Sequence, residues 1–383
     1  PTAVLESSGG RQTRLDLEAV SLAAMLESKP AFLRFESPAG SAGSGTPENQ
    51  VRVELVAGGH AIGDLQGGDG EFLDVRLMGG ALLRLSLEEF SSLRLPGRFP
   101  AAWTEPVGPA PEGDRLYRRS GPGLDRIDGA IETFDREGVT MDTALGIKTF
   151  PWLEVAALFV EVFDETRSNS DLGQVVVDLL DGSRLPMGLQ DLGPDGLSLV
   201  TASGRGFRLP LEVIAEIFFA DSGVVFLSDL EPAKSEDASP FGDNLGMVWS
   251  ARKDLSVTGA PLRAGGKRWT RGLGVHGPSR IEYSLDGSWN HLRGFVAIDD
   301  QVIPLAARGS VIFRILNGET VLWESAVIHG ADAPQSIPAV SIAGVKRLVL
   351  EVDTADNLHL GDRANWLRVV LSKEEFEKSS GAK

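Results

Sequence analysis

The side chains that could do chemistry crowd into the last third of the sequence. Five of the seven tryptophans lie there: Trp249, Trp269, Trp289, Trp323 and Trp366. A pyranose presents a flat C–H face that stacks on an indole, so a tryptophan-rich β segment is what a sugar-binding surface would show. Trp269 and Trp289 flank turns, where a ring can stand open as a platform, whereas Trp323 sits in an alternating strand and reads as core. His276 stands in a turn near Arg280, able either to contact hydroxyls or to brace the turn itself. Asp299 and Asp300 end a strand, and carboxylates accept bidentate hydrogen bonds from vicinal hydroxyls; a solvated turn would place the same residues there. The set Asp299, Asp300, Asp353, Asp356 and Asp362 offers oxygen ligands of the kind calcium takes, although no EF-hand spacing is present.

The elements that must position these groups are strands. Ile281, Tyr283 and Leu285 alternate with polar partners, as do Val311, Phe313 and Ile315, and Leu348, Leu350 and Val352. Each run ends on Gly, Asp, Asn or Pro. That spacing predicts a β-sandwich. Gly272, Gly274 and Gly277 satisfy the dinucleotide fingerprint G-x-G-x-x-G, but the motif works only where a helix follows to hold a pyrophosphate. Here Pro278 and an alternating strand follow, so a β-turn is expected.

The same stretch carries a family resemblance. Trp269 followed by Gly272-Leu273-Gly274-Val275-His276, the Asp299-Asp300 pair after Phe295, the Gly309-Ser310-Val311 strand with its Asn317-Gly318 turn, and the closing Asp362-x-Ala364-x-Trp366 resemble the NPCBM module, a proposed carbohydrate-binding family. The resemblance extends upstream to Val225-Phe226-Leu227-Ser228-Asp229-Leu230. It implies a jelly-roll, galactose-binding-like sandwich that holds a sugar in loops at one end, usually as an appendage to a glycoside hydrolase. It also implies candidate contacts at Trp269, His276, Asp299, Asp300, Arg363, Asn365 and Trp366, with calcium suggested at Asp299, Asp300 and Asp362. The family's closing motif usually reads Asp-His-Ala-Asp-Trp followed by an acidic residue. This chain has Arg363, Asn365 and then Arg368 instead, so specificity at that end has moved or been lost if those positions touch ligand.

Composition bounds the alternatives. With 383 residues, 42% of them hydrophobic, and 45 glycines, the chain can build two to four compact domains rich in turns. Its 37 basic and 54 acidic residues leave a net charge of −17, which repels a phosphate backbone and makes nucleic acid and anionic membranes poor partners. The absence of cysteine excludes disulfides and thiolate chemistry. No apolar run is long enough to span a membrane as a helix. The start at Pro1 is compatible with a removed signal peptide or a trimmed chain.

Upstream, the chain repeats itself. Within an N-terminal segment of residues 1–50, Leu15 to Leu26 reads as a short helix or a strand pair, Phe32, Leu33 and Phe35 as a strand, and Ser37 to Gln50 as a loop. The repeats at residues 51–95 and 172–221 then align without gaps over Val51 to Leu95 and Val175 to Phe219 at an offset of 124, pairing Gly58 with Gly182, Leu65 with Leu189, Gly80 with Gly204 and Leu87-Glu88 with Leu211-Glu212. Residues 115–163 fit as a middle copy at an offset of 58 from the third, Leu153-Glu154-Val155 falling on Leu211-Glu212-Val213. Residues 96–114 form a proline-rich linker, 222–373 the sandwich and 374–383 a charged tail. Five short strands in about 45 residues are expected to close as a small barrel, since an open sheet of that size leaves edges and an apolar face in water. The layout resembles SH3-like or Sm-like barrels, which assemble through strand edges.

No zinc-protease, serine-hydrolase or nucleotide-binding loop motif is present, and three barrels plus a sandwich leave no room for a hydrolase domain. The expectation is an all-β, non-enzymatic, secreted or cell-envelope protein that binds carbohydrate, a galactoside being one option. The alternative is an envelope assembly protein whose repeats hold a protein partner or a second copy of the chain.

Overall fold

The structure is a computed structural model describing residues 2–17, 22–35, 48–101, 103–162, 174–236, 249–356 and 359–374. It divides into two compact units, one made of Pro1–Glu6 and Gln12–Asp221, the other of Ser7–Arg11 and Ser222–Lys383. No described helix is long and apolar enough to cross a membrane.

In the first unit the repeat is a four-stranded antiparallel meander, then a 3-10 turn, then a fifth strand that returns to pair with the first. Copy 1 uses Gln50–Leu55, His60–Gly68, Leu73–Leu77 and Leu82–Leu85, the turn Leu87–Glu89, and Phe90–Arg94. Copy 2 uses Asp114–Ser120, Gly123–Phe134, Gly138–Thr143 and Gly146–Pro151, the turn Trp152–Glu154, and Val155–Phe159. Copy 3 uses Gln174–Leu179, Arg184–Gly193, Gly196–Val200 and Gly206–Leu209, the turn Leu211–Val213, and Ile214–Phe219. Alternation buries Val51, Val53, Leu73, Val75, Leu83 and Leu85 in copy 1, with equivalent rows in the others.

The expected barrels do not close. No described ladder joins the fourth strand to the fifth in any copy, and all three belong to one 18-stranded sheet. Neighbours cover the fifth-strand edges instead. Phe90–Arg94 of copy 1 pairs with Val155–Phe159 of copy 2, and Ile214–Phe219 of copy 3 pairs with Pro30–Phe35. The apolar faces share a single core that runs from Ala3 to Phe219. Within the ambiguous N-terminal stretch, Gln12–Asp16 is a strand and Leu22–Glu27 a short helix.

Copy 2 departs from its expected alignment. Four residues separate the paired Asp142 and Ile147, where five separate Val200 and Gly206, so its hairpin turn is one residue shorter. From there on Trp152, not Leu153, occupies the position of Leu211, and Leu153 that of Glu212. The Leu-Glu-Val match in sequence concealed the slip.

The second unit is a β-sandwich. One sheet contains Val224–Phe226, Arg252–Lys253, Gly272–His276, Arg363–Ser372, His291–Ile298 and Gln335–Ser341. The other contains Lys234–Glu236, Ser279–Ser284, Arg347–Thr354, Ser310–Asn317, Thr320–Glu324 and Ile328–His329. Inward residues of both sheets form one core, in which Phe313 meets Trp366 edge-on at 4.9 Å. On the outer face of the second sheet, Arg280, Arg314, Glu351, Asp353 and Glu324 form a ladder of ion pairs between 2.5 and 3.0 Å. The stretch with the dinucleotide-like glycines is strand, turn, strand with no helix. A side chain at Gly274 would run into the Leu255 carbonyl at 2.3 Å, so that glycine serves strand packing.

Candidate functional site

The expected contacts fall into two groups with different roles. The first is internal scaffolding. Asp299 is buried and caps the 3-10 turn Asp300–Val302, its Oδ1 accepting from the Gln301 N–H at 3.0 Å. Its Oδ2 accepts from Asn365 Nδ2 at 2.7 Å and from the Arg263 N–H at 3.2 Å. Asp300 accepts from the N–H groups of Gly265 and Gly266, at 3.1 and 2.9 Å, at the tip of the hairpin Leu262–Ala264 and Lys267–Trp269. Trp269 donates Nε1–H to the Ala264 carbonyl and packs its ring on Phe295 at 5.2 Å. Asp299, Asp300, Asn365 and Trp269 thus hold one hairpin against the sandwich. Trp366 is fully buried in the core and offers no surface.

The second group forms a rim at the end of the sandwich. His276 and Arg363 are register partners on adjacent strands and project to the same side of the sheet. The indole of Trp249 lies against both, stacked on the His276 imidazole at 5.5 Å and 5.8 Å from the Arg363 guanidinium. His276 Nδ1 donates to the Gly277 carbonyl at 2.8 Å, which leaves Nε2 as an acceptor. Burial, then the positive fields of Arg363 and His359, push its pKa down and keep the ring neutral. Arg363 makes no ion pair among the described residues.

Asp362, next to Arg363 in the chain, is fully buried beside Gly277 and is held there by two glycines. Gly309 and Gly361 adopt positive φ, and a side chain on Gly309 would meet the Gly361 carbonyl at 2.3 Å. That close approach lets the Ser310 N–H donate to Asp362 Oδ1 at 2.9 Å, while the Ser310 hydroxyl ties down Asp356. Asp362 Oδ2 is buried without a partner among the described residues, and desolvation raises the carboxyl pKa to about 6 against the opposing pull of the Ser310 N–H and His359. His359 sits in the left-handed region at φ 62, with its Nδ1 buried and without a partner among the described residues. Strained backbone at a polar cluster points toward function.

Among the described residues no three His, Cys, Asp or Glu side chains converge to hold a metal ion. Asp299 and Asp300 spend their oxygens on N–H donors and Asp362 accepts from the Ser310 N–H, so these three carboxylates do not converge on one ion site. Trp249 and His359 are the rim members that the sequence expectation lacked. Trp249 was visible only as one more tryptophan, and His359 carries no motif.

Residues 223–372 match the NPCBM/NEW2 domain family. The chain is similar to alpha-1,3-galactosidase B of Akkermansia muciniphila, with 37% identity over 120 residues that cover 30% of this chain and 14% of the galactosidase. The chain therefore matches only a small part of that enzyme's length. Among solved structures it is similar to the CBM51 of Clostridium perfringens GH95 in complex with methyl-galactose, at 22% identity and a TM-score of 0.34, covering 39% of this chain and 99% of that one. It is also similar to the CBM51-2 and INT domains of C. perfringens ZmpB in complex with GlcNAc, at 19% identity and a TM-score of 0.35, covering 51% and 43%.

Proposed function

We propose that the C-terminal sandwich binds carbohydrate at the rim formed by Trp249, His276, His359, Asp362 and Arg363, and that the chain acts by binding rather than by catalysis. The observation that carries this reading is the set of open hydrogen-bonding groups beside a half-buried indole. A neutral imidazole acceptor and a guanidinium with no ion pair among the described residues stand there, and Asp362, next to Arg363 in the chain, keeps a buried carboxylate oxygen with no partner among those residues. Such a mixture suits a polyol, which donates and accepts at every hydroxyl, and the exposed part of Trp249 supplies apolar contact for a sugar face. The family match supports carbohydrate as the ligand class. The name of the galactosidase relative makes terminal α-galactosides the first ligands to test. A ligand of this kind is met outside the cytoplasm, so an envelope or secreted location is part of the proposal.

The test is glycan-array screening of the full chain followed by calorimetry, beside Trp249→Ala, His276→Ala and Arg363→Ala. Binding of a defined glycan that each substitution weakens at least tenfold, with unchanged thermal unfolding, supports the proposal. Binding that survives all three moves the site elsewhere. Release of sugar from aryl galactosides, dependent on Asp362, would replace binding with catalysis.

A further inference from the structure

Copies 1 and 3 of the repeat grip each other by a reciprocal contact. Gly79, at the hairpin tip of copy 1, sits on the 3-10 turn of copy 3, where an added Cβ would lie 2.7 Å from Pro210 and 3.0 Å from Val213. Ser203, the copy 3 equivalent of Gly79 at the offset of 124, sits on the 3-10 turn of copy 1. Its N–H and hydroxyl donate to Glu89, the equivalent of Val213, at 2.8 and 2.9 Å. Between these two contacts, His60 bridges Arg184, and those two positions are also equivalents. Tip on turn, turn on tip, with a bridge between equivalent residues: the two copies are related by a local two-fold axis, and the contact is isologous.

Each copy therefore has two self-complementary surfaces, the fifth-strand edge and the tip-and-turn face. The fifth strands of copies 1 and 2 pair reciprocally, Leu93 with Leu158 and Ser92 with Phe159, and that of copy 3 pairs with Pro30–Phe35. The tip-and-turn faces of copies 1 and 3 cover each other. The sixth surface, the tip-and-turn face of copy 2, is open among the described residues. It carries Leu145 at the tip, Ile147 just after it and Leu153 on the 3-10 turn, exposed by 80%, 70% and 78% respectively. No other large apolar side chain among the described residues is as exposed, the next being Leu360 at 56%. Where copy 2 has Leu153, copies 1 and 3 have Glu88 and Glu212, and where it has Leu145 they have Gly79 and Ser203. The copy whose face is open is the one that made that face apolar.

We propose that this face binds the same face of a second copy of the chain, so that the protein is a two-fold dimer through copy 2. The occupant is argued from the chain itself, because the surface is built on a scaffold whose two sisters are satisfied by their own kind. In this arrangement Leu145 of one chain covers the 3-10 turn of the other near Pro151 and Leu153. The strand Gly123–Phe134 has twelve residues against nine and ten in its sisters, so the axial bridge is not reproduced and the contact rests on tip and turn.

Sedimentation and light scattering of the full chain over a wide concentration range are expected to give a dimer. Leu145→Asp with Leu153→Glu should turn it into a monomer with an unchanged melting curve, since both side chains are exposed. The sequence has no cysteine, so Leu145→Cys with Pro151→Cys is expected to form a disulfide between chains under mild oxidation. A wild-type chain that stays monomeric at every concentration overturns the proposal. So does a dimer that survives the double substitution, or a wild-type dimer whose cysteine variant fails to cross-link.

Discussion

Asn365 donates its side-chain N–H to Asp299 at 2.7 Å, and both residues are almost completely buried. Their pairing fixes the hairpin Leu262–Trp269 onto the sandwich through Arg263, so these two polar groups work as internal fasteners. Asp299→Ala is expected to destabilise the C-terminal unit by about 3 kcal/mol, the order expected when a charged acceptor leaves buried donors unpaired. Chemical denaturation measures it, and an unchanged midpoint would refute the role.

Trp366 is expected to behave as core. Trp366→Ala should cost about 3–5 kcal/mol by opening a cavity beside Phe313. Glycan affinity per folded molecule should stay as in the wild type. A stable Trp366→Ala protein with abolished affinity would return this residue to the ligand site.

Asp362 gives the C-terminal unit an unusual acid response. Its folded pKa, near 6, lies above the unfolded value of 3.8, so between these pH values the native state holds more protons. The stabilisation is complete below the lower value and is lost as pH rises through 6. Asp362→Asn should flatten this dependence and raise stability at pH 7 by up to about 3 kcal/mol. A wild-type-like slope in the Asn variant would count against it.

His60 acts in the opposite sense in the N-terminal unit. Burial, followed by the charge of Arg52, pushes its pKa from 6.5 down to about 4, and Nε2 bonds the Gly182 carbonyl at 2.8 Å. The neutral ring stabilises the fold above pH 6.5, and that contribution is lost as pH falls toward 4. His60→Gln should shrink the acid-induced loss, which thermal melts between pH 4 and 7 would follow. Identical slopes in the two proteins would exclude His60 as the source.

The strands were legible because period-two burial is written locally, as in Ile281, Tyr283 and Leu285. So was the repetition, since Gly80 and Gly204 mark the same turn. The open barrels were not, because whether Phe90–Arg94 needs a covering strand depends on Val155–Phe159, far along the chain. Asp299 and Asp300 misled for a chemical reason. A carboxylate in a turn looks the same in sequence whether it awaits a hydroxyl or already holds N–H groups. Trp249 became significant only when strand pairing set His276 beside Arg363 beneath it.

The mutual grip of copies 1 and 3 has a consequence for biosynthesis. The tip of copy 1 at Gly79 leaves the ribosome well before its cover at Pro210 and Val213 exists, an interval of about 6–25 s at typical elongation rates. During that time copy 1 and copy 2 can complete their contacts with each other, but the tip of copy 1 stays uncovered. Contacts so distant in sequence also make the final closure slow. Truncation before copy 3 would therefore yield an aggregation-prone nascent chain, and the last repeat serves as the step that completes folding of the first.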